Sequence, residues 1–176
     1  MEDSVFKDFL ASAKSELLRY KKLGSDTIEV LDERELNLNT RDANSVATIV
    51  KHLHGNMRSR WTNLFTEDGE KPDRNRDAEF ESTDHSRQQV IDLYHAGWAF
   101  VETALAGLTE EDASRSVFIR NEPLSLIQAI HRQMTHYAYH IGQIVFIGKQ
   151  CRGAKWKSLS IPRGRSSEYH QGKYLS

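Results

Sequence analysis

The sequence predicts an all-α protein, a single four-helix bundle, and three observations predict it. Four segments repeat apolar residues near the 3.6-residue period of an amphipathic helix. Strand-like alternation is confined to one short stretch, Ser116 to Ile119. A chain of 176 residues with 38% apolar content can build one core without staples, so one domain over residues 1–176 is expected.

The first helix is expected from Ser4, a plausible N-cap, to Lys22, with Val5, Phe9, Leu10, Ala13, Leu17 and Tyr20 on its apolar stripe and Gly24 as its stop. Leu31 to Asn39 is polar and irregular. Periodicity returns from Asn44 to Phe65, where Val46, Ile49, Val50, Leu53, Met57, Trp61 and Leu64 share one stripe. Thr66 to Glu81 carries an Asp-Gly turn, Pro72 and a run of charges, and reads as a loop. Ordered loops of that length are uncommon unless they serve a site.

Thr83 is expected to cap a third helix over Asp84 to Leu105, with apolar positions at Val90, Ile91, Tyr94, Trp98, Val101 and Leu105. Thr109 to Asp112 has the form of a capping box, and Ser116 to Ile119 suits a brief strand. The fourth helix is expected to open at Pro123, suited to a first turn, and to run through Leu126, Ile130, Tyr137, Ile141 and Ile144 to Gly148. The long connections before and after the second helix allow crossovers that a simple up-down bundle would not need.

Composition excludes several classes. A net charge of −1 offers no field for nucleic acid or an anionic membrane. One cysteine, Cys151, excludes an internal disulfide and a Cys-rich zinc module. The acidic start Met1-Glu-Asp-Ser4 lacks the basic and apolar regions of a signal peptide, and no apolar run approaches the length of a membrane span. A soluble, cytoplasmic protein is the expectation.

The feature with most chemical content is His136-Tyr-Ala-Tyr-His140 in the fourth helix. Histidines at i and i+4 stack on one helical face, about 5–6 Å apart at Cβ, and their imidazoles can converge on one divalent ion. A third ligand is available in Lys51-His-Leu-His-Gly-Asn56 on the second helix. At about 100° per residue, His136 and His140 fall just off one edge of the apolar stripe, while His52 and His54 fall off opposite edges of theirs. Periodicity admits either His52 or His54 as the third ligand, but not both. Three neutral histidines from two helices make a site with open positions, suited to activating water or substrate. His85, His95, His131 and His170 lack such a spacing partner and read as surface or boundary residues.

Taken together, His52-Leu-His-Gly-Asn56, His136-Tyr-Ala-Tyr-His140-Ile-Gly-Gln143 and Trp156-Lys-Ser-Leu-Ser-Ile-Pro-Arg-Gly164 resemble the DinB/YfiT-like superfamily. The likeness extends to Met57-Arg-Ser-Arg-Trp61, Asp68-Gly-Glu-Lys71 and Arg74 to Phe80, and is narrowest to a bacterial branch of unknown function. It implies an up-down-down-up four-helix bundle, usually dimeric, with a divalent ion on three histidines. Carried over residue by residue, those ligands would be His52, His136 and His140. Relatives include bacillithiol-dependent thiol transferases, mycothiol-dependent isomerases and proteins described as hydrolases.

On that basis the leading expectation is a metal-dependent thiol S-transferase or hydrolase acting on a small molecule, with a low-molecular-weight thiol as a candidate partner. The alternative is a non-catalytic bundle that binds a metal or small ligand. Zinc and nickel both suit imidazole, whereas magnesium and calcium prefer oxygen. Arg58, Arg60, Arg74 and Arg76 could clamp a carboxylate or simply pair with Asp73, Asp77 and Glu79. Asn56 could orient a ligand or bound water, Gln143 could hold a hydrogen bond behind the ligands, and Gly142 could allow close helix approach. Tyr137 and Trp61 read as core. Cys151 has no assignable base. The tail from Trp156 is expected to pack on the bundle or a partner subunit, and Phe6 and Trp98 are expected to lie on outer faces used in a homodimer.

Overall fold

The computed structural model describes residues 5–39, 43–81 and 84–169. Its elements are α1 (Val5–Val30), α2 (Glu33–Leu36), α3 (Val46–Trp61), α4 (Arg76–Glu79), α5 (Arg87–Ala106), β1 (Ser116–Ile119), β2 (Glu122–Ser125), α6 (Leu126–Arg152) and α7 (Ser166–Tyr169). The chain is therefore mostly helical with one small two-stranded sheet, which is compatible with an all-α fold. Among the described residues no helix is long and apolar enough to cross a membrane.

Four boundaries differ from expectation, each for a local reason. Gly24 does not stop α1, which continues to Val30 because Thr27, Ile28 and Leu31 extend the buried face. α3 ends at Trp61 rather than Phe65; Asn63 takes φ 51°, a left-handed value that asparagine tolerates and that breaks the helical path. α5 begins at Arg87, where Ser86 and Gln89 form a reciprocal capping box. Pro123 lies in β2 instead of a helical first turn, and Ser125 with Gln128 caps α6. The expected caps Ser4 and Thr83 lie outside the described residues.

The long helices pack mainly as α3 against α5 and α1 against α6. Their directions follow from which residues meet. Gly24 faces Ile141, and Gly148 further along α6 faces Thr27 and Leu31, so α1 and α6 run parallel. The Tyr94 hydroxyl donates to the Lys21 carbonyl at 2.7 Å, while Lys21 also pairs with Glu102, so α5 lies alongside α1. α3 runs opposite to α6: His52 meets His140, Asn56 meets Tyr137, and Trp61 lies near Ile130. The core between them holds Leu17, Ile28, Leu53, Met57, Trp98, Tyr137, Ile141 and Ile144.

Trp98 and Phe6 belong to that core, at 1% and 7% exposure. They are not the outer-face residues that the sequence suggested: Phe6 stands one turn before Leu10 and Trp98 one turn after Tyr94, on the buried stripes of their helices. The tail does fold back on the chain, with the Trp156 ring against Gly148.

Between α3 and α5 the chain is tied to a hairpin. β1 and β2 pair antiparallel through Arg120 and Asn121, both at positive φ (57° and 61°), as a tight two-residue turn requires. Asp68 accepts hydrogen bonds from the Arg120, Asn121 and Glu70 amides at 2.9, 2.7 and 2.6 Å. Burial works to raise the Asp68 carboxyl, but these amides outweigh it and hold the group below the usual carboxylate range.

Helix approach at Gly24 gives a stability test. A Cβ there would sit 2.1 Å from the Tyr94 hydroxyl and 2.8 Å from Ile141. Gly24→Ala should therefore lower the unfolding free energy by about 1–3 kcal/mol despite the better helix propensity of alanine. At Gly142 a Cβ meets nothing within 4 Å, so the expected close helix approach does not occur there. Gly142→Ala should leave stability unchanged or raise it by up to about 1 kcal/mol. Urea unfolding of the two variants checks both signs.

Candidate metal centre

The opposed course of α3 and α6 brings His52 against His136 and His140. Each of the three offers one ring nitrogen, and these atoms lie within 4.8 Å of one another, so the group could hold a metal ion. The rings are 4.7 to 5.3 Å apart by centroid and roughly edge to face, an arrangement of convergence rather than stacking. His52 Nε2 and His136 Nε2 are 3.2 Å apart. Two nitrogens at about 2.1 Å from a zinc-sized ion and that far apart subtend about 100°, close to tetrahedral or octahedral geometry.

The neighbours of the outer nitrogens decide which atoms are free. His52 Nδ1 lies 2.9 Å from Glu79 Oε2. Burial works to raise the Glu79 carboxyl, but the hydrogen bonds from His52 and Arg74 outweigh it and hold Glu79 below the usual range. An ionised carboxylate can only accept, so His52 Nδ1 donates and Nε2 is the nitrogen turned inward. His140 Nδ1 lies 2.8 Å from Gln143 Oε1, which likewise leaves Nε2 inward. Gln143 thus makes a hydrogen bond behind a ring of the group, the kind of contact expected of it. His136 Nδ1 is buried and has no hydrogen-bond partner among the described residues.

Glu79 is the site residue whose role sequence reasoning missed. It belongs to α4, within the long connection after α3, and is placed by two devices. Arg74 grips it in bidentate fashion, Nε to Oε1 at 2.8 Å and Nη2 to Oε2 at 2.9 Å. Gly55, one turn from His52, makes room for it: a Cβ there would lie 2.2 Å from Glu79 Oε1. A glycine in a helix interior costs up to about 1 kcal/mol relative to alanine. That anomaly in the His52-Leu-His-Gly run was the available signal. Phe80, next in sequence, covers the His52 ring at 4.6 Å.

Other candidates fall elsewhere. His54 turns toward α5, with its ring 6.1 Å from Phe100 and its backbone against Gly97, so it does not join the group. Burial, then the Arg58 charge, push His54 below its ordinary value. The Asn56 Oδ1 accepts from the Tyr137 hydroxyl at 3.2 Å, and Trp61 Nε1 donates to that hydroxyl at 2.8 Å, a buried chain beneath the histidines. Tyr137 and Trp61 are core, as expected. Arg58 pairs with Asp73, Arg60 with Glu70 at 3.0 Å, and Arg74 with Glu79, so these three are occupied by carboxylates of the connection. Cys151 is half-buried, with its thiol pushed up by burial and by Glu35. His95 and His131 are exposed and His85 half-buried, while His170 lies outside the described residues.

The donor chemistry suits an ion. Burial and the neighbouring rings push His136 down to about 3, and burial, with His52, pushes His140 down to about 4, so both are neutral and able to coordinate at pH 7. Alongside His52 and His136 opens a polar-walled cleft of about 160 Å³.

With 4–165 of the chain matched by its model, this protein belongs to the family described as protein of unknown function, DUF1572. No curated protein and no solved structure matches the chain.

Two outcomes follow from this geometry. In the unfolded chain both histidines take up protons below about 6.5, whereas in the folded one they stay neutral to about 4 and about 3. The unfolded state binds more protons in that window, so stability of the metal-free protein should fall as pH drops from 6.5 toward 4. His136→Ala with His140→Ala should flatten that slope in urea titrations; an unchanged slope would assign the acid sensitivity to other groups. Gly55→Ala should displace Glu79 and weaken zinc binding by about 10–100-fold, the usual cost of losing an outer partner of a ligand, as read by competition with a chromophoric chelator.

Proposed function

We propose that His52, His136 and His140 bind one divalent ion, zinc or nickel, and that the protein is a metal-dependent enzyme of the thiol S-transferase or hydrolase type. The observation that carries this reading is the convergence of three ring nitrogens beside a polar cleft, two of the rings having their outer nitrogens already committed to Glu79 and Gln143. A structural site closes its coordination shell with four protein ligands, whereas three ligands and an adjoining cleft are the arrangement of a catalytic one.

A bound ion would supply Lewis acidity, lowering the pKa of a water or thiol toward neutrality so that a nucleophile is available at pH 7. The chain's own residues do the rest. Glu79 fixes the proton on His52 Nδ1 and raises the basicity of Nε2, and Gln143 does the same in weaker form for His140. None of the three rings carries charge, so the ion's positive charge is not neutralised by its ligands and favours anionic ones. Phe80 over His52 and the Tyr137–Asn56 pair below keep water from the back of the site.

We also propose the wider assignment that the sequence resemblance suggests: a single-domain, up-down-down-up four-helix bundle of the DinB/YfiT-like superfamily, cytoplasmic and homodimeric, acting on a small molecule. The parallel α1 and α6 and the opposed α3 and α6 support it. With Phe6 and Trp98 buried, the apolar surface open to a second copy includes Tyr139 and Phe146 on α6, 64% and 63% exposed.

His136→Ala should abolish stoichiometric metal while keeping the helical circular dichroism signal, and His54→Ala should leave metal binding intact. Metal retained by the first variant at full occupancy would remove the assignment. In a screen of thiol conjugation and of ester and amide hydrolysis, turnover should require the ion and rise with pH through an apparent pKa near 7. Equal turnover by metal-free and metal-restored protein would replace the catalytic reading of the ion.

A further inference from the structure

The cleft beside the histidines has a composition that the metal assignment does not use. Five arginines line it, Arg60, Arg74, Arg76, Arg120 and Arg132, together with His52 and His136. They come from four separate elements: α3, the connection with α4, the hairpin turn and α6. Folding brings them together although the chain as a whole carries a net charge of −1.

Three of the five are committed. Arg60 and Arg120 both bond Glu70 Oε2 at 3.0 Å, and Arg74 bonds Glu70 at 3.3 Å as well as Glu79. Burial works to raise the Glu70 carboxyl, but Arg60 and Arg120 outweigh it and keep the group ionised. Two carboxylates thus balance three guanidiniums. Arg76 stands 5.6 Å over the Phe80 ring, and among the described residues neither Arg76 nor Arg132 pairs with a carboxylate. Both are exposed at the cleft. Close like charges are costly without a counterion, and an ion on the histidines would add to the imbalance.

We propose that the cleft is a binding site for the anionic group of a small substrate, a carboxylate or phosphate held by Arg76 and Arg132 while its reactive end reaches the three histidines. This deepens the reading given under Proposed function and rests on it only for the reactive end. A volume of about 160 Å³ fits a small anion rather than a polymer. Planar guanidiniums bind carboxylate and phosphate oxygens bidentately, and a cleft of one sign concentrates such ligands.

The test uses the full chain loaded with cobalt(II) as a visible probe. Cobalt stoichiometry alone, lost in His136→Ala, decides the metal reading. The anion site is decided separately by comparing 3-mercaptopropionate with the neutral 2-mercaptoethanol, followed through the cobalt spectrum. The acid should bind at least tenfold more tightly, and Arg132→Ala or Arg76→Ala should each weaken it about tenfold. Either variant should change cobalt stoichiometry not at all and 2-mercaptoethanol binding less than about twofold. Equal affinity of the two thiols, or an acid whose binding ignores both substitutions, would overturn the proposal. If cobalt does not bind, calorimetry of acetate and methylphosphonate on the metal-free protein decides it: binding lost in Arg132→Ala supports the site, and no binding of either removes it. The stronger of those two anions identifies whether carboxylate or phosphate is the natural group.

Discussion

The buried carboxylate of Glu79 is the constraint on which the rest of the site depends. It joins His52 on α3 to Arg74 in the connection, and it lies in space that only a glycine at position 55 leaves open. A buried carboxylate without partners would be costly, so the connection cannot leave α3 without exposing or stranding a charge. The segment following α3 is fixed at one end by this contact and at the other by Asp68 on the hairpin amides. That is why a long polar connection is ordered over the cleft.

Beneath it, helix packing sets the distances. His52 and His140 meet because α3 and α6 run in opposite directions, and the buried Trp61–Tyr137–Asn56 hydrogen bonds fix how far each helix can slide along the other. Slipping by one turn would break these bonds and move the ring nitrogens about 5 Å apart in register. Packing in the core and geometry at the histidines are therefore one constraint seen at two places.

Charge is arranged in two zones. His136 and His140 are held neutral by burial and by the neighbouring rings, an environment that suits coordination but not protonation. The arginines surround the open side, with Glu70 and Glu79 compensating part of their charge. Glu79 lies on the outer side of the His52 ring, at Nδ1, and Glu70 among the arginines.

Much of this was legible in the sequence. Four apolar periodicities gave the long helices, and the i, i+4 spacing placed His136 and His140 on one face because helical geometry is local. Periodicity alone left His52 and His54 equivalent, since each lies at an edge of its stripe; only the side on which α6 packs, against the turn of His54 toward Phe100, separates them. The sequence also misjudged Gly24, Gly142, Trp98 and Phe6, whose surroundings are set by neighbouring helices and not by their own. The role of Glu79, and the joining of Arg120 and Arg132 to Arg60, Arg74 and Arg76, were out of its reach for the same reason: residues from α3, α4, the hairpin and α6 become neighbours only when long-range packing closes the chain on itself. Local periodicity determined which residues could ligate or line a groove, and tertiary packing decided which of them meet.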